Sequence, residues 1–222
     1  MHPDDQANYQ MRYRARLARY GYAPESLGWG HGGRQEIRFS VLAEGLLANP
    51  NTSVLDVGCG FADLYDYLVA RGWSGSYTGL DLVPELLDVA RARHPQLELH
   101  AGDLASFASG KTTYDYVLAS GIFNARLQQM TNEAHIEASL GHMLALARVA
   151  VCADFMSTWV DFQHPEAWHT DPVWLLQIAR RLSRRLELRC DYMPFEFALT
   201  LYRDDSCTAR QVFSDFRPCA ES

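Results

Sequence analysis

The sequence predicts an α/β protein with a doubly wound, mostly parallel seven-stranded sheet that closes in an antiparallel hairpin. Three observations carry this expectation. Short apolar runs alternate with amphipathic segments five times between residues 53 and 156, the pattern of strands and crossover helices covering both faces of a parallel sheet. Two further apolar runs near the end follow each other with no helix between them, as an antiparallel pair allows. The first strand-to-helix turn carries two glycines, and open sheets of this kind seat their ligands there. With 222 residues the chain suits one core, since a single core serves up to roughly 250 residues. It divides into a helical cap or lid segment, residues 1–50, and a sheet domain, residues 51–222.

In the cap, Tyr9, Tyr13, Leu17 and Tyr20 form one stripe of a helix whose other faces hold Arg12, Arg14, Arg16 and Arg19. The glycine-rich stretch "SLGWGHGG" follows, then a helix holding Arg34 and Arg38. "SVLDV" reads as the first buried strand, "ADLYDYLVARG" as a helix ending at Gly72, "SYTGLDL" as the second strand, and "PELLDVARARH" as a helix opened by Pro84. "LELHA" and "YDYVLAS" are strands three and four. Ile136, Leu140, Met143, Leu144 and Ala147 recur at helical spacing before strand five, "VAVCADF". Asp171 can cap a helix that starts at Pro172 and turns Val173, Leu176, Ile178 and Leu182 inward. "LELRCDY" and "FEFALTLYR" complete the sheet.

Composition removes several function classes. No apolar run approaches the ~18 residues a membrane helix needs. The start lacks the layout of a secretory signal, and the five cysteines are odd in number with no CxxC pairing, so a cytoplasmic protein with reduced thiols is expected. A net charge of -7 argues against nucleic acid, whose binding neutralises phosphates with clustered cations. The basic run "RRLSRR" at residues 180–185 reads instead as the last turns of the helix begun at Pro172, where cations complement the macrodipole.

The glycine turn "VLDVGCGFADL" sets the ligand chemistry. Gly58 and Gly60 permit close approach of a ligand to the backbone, and Asp81, 21 residues beyond Gly60, is placed to accept both hydroxyls of a ribose. A nicotinamide dinucleotide would need its pyrophosphate on the helix N-terminus behind a full GxGxxG pattern, but Asp63 occupies the third glycine position and would repel it. Acids beside the turn suit a ligand with a cationic amino-acid tail. S-adenosylmethionine is such a ligand.

At these residues the chain resembles the class I S-adenosylmethionine-dependent methyltransferases. "DVGCGFADL" is similar to the family's first motif, "GLDLVPELLDVAR" to its ribose motif, "AGDL" to its adenine motif, and "YDYVLASGIFN" to its fourth strand and following loop. The resemblance implies the Rossmann-like methyltransferase fold and S-adenosyl-L-methionine as cofactor. It implies the Gly58, Cys59 and Gly60 backbone as the floor under the methionine part and Asp81 with Leu82 as the ribose clamp. Gly102, Asp103 and Leu104 would lie at the adenine, with Ser120 and Gly121 beside the cofactor. Ala62 stands where many members have a third glycine, and costs nothing if it opens the helix in ordinary right-handed geometry. "SGIFN" lacks the [DN]PP[YF] motif of enzymes that methylate DNA bases or glutamine, which leaves a small-molecule acceptor, methylated on O or N.

Other candidates stand on the residues themselves. Asp56 either orients the glycine-loop amides and reaches the ligand's ammonium through water, or satisfies the turn. Cys59 is a packing residue. Arg34 or Arg38 could pair bidentately with the methionine carboxylate, with Trp29 as an aromatic wall. "STWVDFQHPEAWHT", residues 157–170, leaves strand five on the ligand side and is expected to line the acceptor site with Trp159, Trp168, His164 and His169. Either histidine would be the general base if one is needed, with Asn124 as a polar group near the transferring methyl. Two histidines without thiols are a weak zinc signal, and no metal is expected. The expected partner is a small-molecule substrate, not nucleic acid or membrane, and no oligomer is specified. The competing readings are a non-catalytic cofactor-binding regulatory or scaffold protein and an NAD-dependent oxidoreductase.

Overall fold

The computed structural model describes residues 1–28, 34–110 and 112–204; Trp29 and the three glycines after it lie outside the described residues. Seven strands, Val54–Val57 (β1), Tyr77–Asp81 (β2), Glu98–Ala101 (β3), Tyr114–Ala119 (β4), Ala147–Met156 (β5), Leu186–Arg189 (β6) and Glu196–Tyr202 (β7), form one sheet in the order β3-β2-β1-β4-β5-β7-β6. β1 to β5 are parallel, and β7 inserts antiparallel between β5 and β6. The strand order reverses between β1 and β4, so a crevice opens beyond their carboxyl ends. The sheet is the Rossmann-like methyltransferase sheet that the motif order implies.

Helices cover both faces. Arg34–Leu42 (α2), Glu44–Leu47 (α3), Asp63–Val69 (α4) and Pro84–Arg93 (α5) pack on one, and Leu104–Ala108 (α6), Asn132–Leu146 (α7) and Pro172–Leu182 (α8) on the other. β1 is buried at every residue, as a strand covered on both faces must be. Its Val54 joins Leu42, Leu46 and Leu68 in one core, while Leu55 and Val57 join Ile136, Leu140 and Met143 in the other. Caps fix the helix starts: Thr131 accepts the Ala134 amide, and Asp171 accepts that of Val173 with Pro172 in the first turn.

The ends of the chain correct several expectations. α8 stops at Leu182 because Ser183 is extended, so Arg180 and Arg181 lie in its last turn while Arg184 and Arg185 lie beyond it. Its buried face is Leu175, Ile178 and Ala179, whereas Val173 and Leu176 face solvent; a step of about 100° per residue from Ile178 turns them outward. The hairpin strands are shorter than their apolar runs, since β6 ends at Arg189 and β7 begins at Glu196.

Pro3–Tyr20 (α1) lies across the crevice. Tyr9, Tyr13 and Leu17 pack on Phe61, Val83 and Leu86, while Tyr20, expected on the same stripe, is 42% exposed. The helix is tied down on both sides. Buried Asp5 accepts the amides of Gln128 at 2.8 Å and Gln129 at 3.1 Å, Gln10 donates to the Leu82 carbonyl at 2.7 Å, and Arg14 pairs with Glu85 at 2.6 Å.

Candidate active site

β1 ends at Val57 and the chain turns through Gly58 (φ 77°) and Gly60 (φ 53°). A Cβ on Gly58 would stand 2.3 Å from a methyl of Ile122, so only glycine allows the loop after β4 to approach. The amides of Gly58 and Cys59 donate to the Leu80 carbonyl at 2.7 and 3.1 Å. Asp81, at the end of β2, accepts the Gly60 amide on one oxygen and the Val83 amide on the other, each at 2.8 Å. Each oxygen retains further acceptor capacity. Burial raises the Asp81 pKa to about 6 despite those bonds. Asp81, rather than Asp56, therefore orients the turn. Asp56 accepts instead the Tyr77 hydroxyl at 2.6 Å, and burial raises its pKa to about 7.

Two more expectations about this turn change. Ala62 is left-handed, φ 62° and ψ 32°, so alanine holds a conformation glycine would adopt without cost. Asp63 pairs with Arg93 at 2.8 Å and accepts the Tyr22 hydroxyl at 3.0 Å. Its charge is neutralised locally, and it does not line the crevice, so it cannot be what rejects a diphosphate. Cys59 is buried, which pushes its thiol well up from its ordinary value, as suits packing.

The crevice is a cleft of about 580 Å³. It brings together Arg34, Arg38, Asp56, Gly58, Cys59, Gly60 and Asp81 with Ser120, Gly121, Asn124, His164 and His169. Leu82, Gly102, Asp103 and Leu104 lie instead in an adjoining cavity of about 110 Å³ that shares Tyr9, Gly58, Asp81 and Ile122 with the cleft. Asp103 caps α6, accepting the amides of Ala105 and Ser106 at 3.0 and 3.1 Å.

At the far wall the structure adds residues that motif reading missed. Asp154 of β5 accepts the Ser120 hydroxyl and the Gly121 amide, both at 2.6 Å, and so holds the loop after β4. Arg38 pairs in two-pronged fashion with Glu196 at the start of β7, one contact being 2.6 Å. Burial raises the Asp154 pKa, and neighbouring Glu196 adds to the shift. An acid inside the apolar run "VAVCADF" and another opening the last strand were the signals available for them.

The segment after β5 is folded back onto the cleft. The Asn124 side chain accepts the Met156 amide and its carbonyl accepts that of Trp168, each at 3.0 Å. His169, 6% exposed, must donate from Nδ1 to the Ser157 carbonyl at 2.9 Å, and its Nε2 accepts the His164 amide at 3.3 Å. His164 is exposed, and its Nδ1 accepts the Glu166 amide at 3.2 Å. A neutral ring bonded in that way carries its hydrogen on Nε2. The tryptophans do not line the cleft: Trp159 is 58% exposed, and Trp168 packs on the core beneath the Arg126 guanidinium. Met156, Val160 and Phe162 stand in their place. No three His, Cys, Asp or Glu side chains among the described residues are grouped to hold a metal ion.

A glycine-floored crevice at the switch point of such a sheet, with an acid closing the second strand, defines a nucleoside-binding type of α/β fold. A model of the methyltransferase domain family matches residues 54–144. The "Putative methyltransferase Rv1506c" of Mycobacterium tuberculosis is 36% identical over 153 residues, covering 66% of this chain and 90% of that protein. Among solved structures, magnesium protoporphyrin IX methyltransferase (ChlM) from Synechocystis PCC 6803 with bound S-adenosylhomocysteine superposes with a TM-score of 0.64 at 16% identity, over 90% of this chain and 98% of that one. The pyocyanin biosynthetic protein PhzM gives 0.62 at 18% identity, over 86% of this chain and 62% of that one. The chain belongs to the class I S-adenosylmethionine-dependent methyltransferases. Its methyl donor is S-adenosylmethionine, and the cleft over the Gly58–Gly60 turn, beside the buried Asp81 carboxylate with its remaining acceptor capacity, fits that group.

Proposed function

We propose that the chain transfers a methyl group from S-adenosylmethionine to O or N of a small-molecule acceptor. The observation that carries this reading is the continuity of the cleft from the glycine turn to the 156–169 segment, which leaves room for an acceptor beside the donor. ChlM and PhzM, whose names refer to small molecules, support it by analogy of fold. No helix of the described residues is long and apolar enough to cross a membrane, and a net charge of -7 disfavours nucleic acid.

When bound, S-adenosylmethionine supplies a methyl on a sulfonium whose leaving group needs no proton. The Gly58, Cys59 and Gly60 backbone would floor its methionine part, Asp81 and Leu82 would hold the ribose, and Gly102, Asp103 and Leu104 the adenine. Arg38 is committed to Glu196, so Arg34 takes the methionine carboxylate. Arg34 lines the cleft over the Phe195 ring, 5.1 Å from its centroid. Ser120 and Gly121, fixed by Asp154, set the cleft wall, and Asn124 anchors the segment that closes it.

Both histidine rings are engaged by the backbone, which favours roles in positioning over that of a base. His169 braces the segment, and His164 offers an Nε2 hydrogen to the acceptor. Catalysis then rests on alignment of acceptor, methyl and sulfur, which can supply most of the acceleration for an in-line transfer. Incubation with methyl-labelled S-adenosylmethionine and a small-molecule metabolite pool tests the reading: label should enter a small molecule. Label that enters only macromolecules would overturn it.

A further inference from the structure

The geometry points to an anionic acceptor: Arg12 and Arg16 of α1 form a binding site for a carboxylate or phosphate group on the molecule to be methylated. This rests on the small-molecule reading above and names the substrate class of that same cleft. Arg12 and Arg16 are four residues apart, so they share one face of α1, and both line the cleft.

Of the four arginines on the cleft, Arg12, Arg16 and Arg34 have no carboxylate partner among the described residues, and of these only Arg12 and Arg16 stand together on one helix face. Arg14, between them, points away and pairs with Glu85. Arg38 in the cleft is neutralised by Glu196, and Arg71, Arg93, Arg148 and Arg189 all carry acid partners. Arg16 is half-buried, which makes a lone cation costlier than at an open surface. Its guanidinium lies against Gly28, where a Cβ would stand 2.2 Å from Nη1, so the chain leaves a place for it.

Two like charges on adjacent turns repel each other, and α1 cannot swing away to relieve them while Asp5, Gln10 and Arg14 are bonded to the body. An anion between them removes the repulsion. On the reading above, Arg34 takes the donor's single carboxylate, which leaves Arg12 and Arg16 to the acceptor. Guanidinium groups recognise carboxylate and phosphate through paired N–H donors. On the facing segment, Val160 and Phe162 add an apolar wall for the acceptor's body, and Glu166 stands at the exposed rim.

The test uses the full chain saturated with S-adenosylhomocysteine and three probes read by saturation-transfer NMR: 4-hydroxybenzoate, 4-hydroxyphenyl phosphate and neutral 4-hydroxybenzamide. The two anions separate a carboxylate site from a phosphate site. At least one anion should bind saturably and roughly tenfold or more tighter than the amide, and that preference should vanish in Arg12→Gln/Arg16→Gln and shrink with added salt. Retained S-adenosylhomocysteine affinity in that variant shows the donor site intact, which separates failure here from failure of the methyltransferase reading. Glu166→Gln should keep or strengthen anion binding. The proposal is overturned if the amide binds as well as both anions, if neither anion binds, or if the arginine variant binds the anion like wild type. A loss in Glu166→Gln equal to that in the arginine variant overturns it too, because removing an acid from the rim of an arginine site cannot weaken binding of an anion to those arginines.

Discussion

Arg38 of α2 and Glu196 of β7, 158 residues apart in the chain, meet in a buried two-pronged ion pair behind the cleft. The pair closes the wall between the cap and the hairpin and sets Arg38 beside Asp154, whose buried carboxyl it favours in the charged form. Arg38→Met leaves two buried acids without their cation and should cost about 3–5 kcal/mol in urea unfolding. Arg38→Met/Glu196→Leu, which removes both charges, should cost clearly less than the two single changes added together. Additive losses would mean that the pair is not coupled.

Asp56 makes stability depend on pH. Its folded pKa, about 7, lies above the ordinary 3.8, so between those values the folded state holds a proton the unfolded state has released. Stability from this group is therefore present at low pH and declines as pH rises through about 7. Asp56→Asn keeps an acceptor for the Tyr77 hydroxyl and removes the titration. The stability of the variant relative to wild type should rise steadily from pH 4 to pH 8 in urea titrations, roughly following the linkage relation. A constant difference would show that Asp56 does not titrate in this range.

Ala62 offers a test of backbone strain. In right-handed helical geometry, Ala62→Gly would lose about 1 kcal/mol of helix propensity and about 0.8 kcal/mol for the buried methyl. In the left-handed geometry observed, relief of about 1–2 kcal/mol offsets both. The variant should unfold within about 1 kcal/mol of wild type. A loss of about 2 kcal/mol or more would contradict the positive φ.

For the histidines, His169→Ala removes the acceptor of the His164 amide and the donor to Ser157, so it should raise the acceptor KM and leave donor affinity unchanged. His164→Ala should lower kcat by less than about tenfold with the pH profile preserved. A fall of roughly a hundredfold with loss of a rising limb would make His164 the base after all.

The fold was legible because buried parallel strands and their crossover helices leave period and punctuation in the chain: Pro84 and Pro172 mark helix starts, and Asp171 its cap. The glycine turn and its acid were legible for a related reason, since Gly58, Gly60 and Asp81 lie on one strand-turn unit and the next strand's end. What escaped depends on contacts between distant segments. Arg38 and Glu196 carry no local signal of their pairing, and the pairing of Asp63 with Arg93 is a fact of tertiary packing that the motif alone does not hold. The same holds for Trp159 and Trp168: their composition suggested a binding wall, but anchoring by Asn124 directs the backbone so that Met156, Val160 and Phe162 line the cleft instead.

The central claim is that the donor sits across the glycine turn with its ribose on Asp81, and calorimetric titration with S-adenosylhomocysteine tests it most directly. Wild type at pH 8 should bind, and affinity should fall as pH drops through about 6, where Asp81 takes up a proton and loses acceptor capacity. Asp81→Ala, shown to be folded by its thermal transition, should bind weaker by about 2 kcal/mol or more, roughly thirtyfold. An unchanged isotherm in folded Asp81→Ala, or an affinity flat from pH 8 to pH 5, would contradict the account.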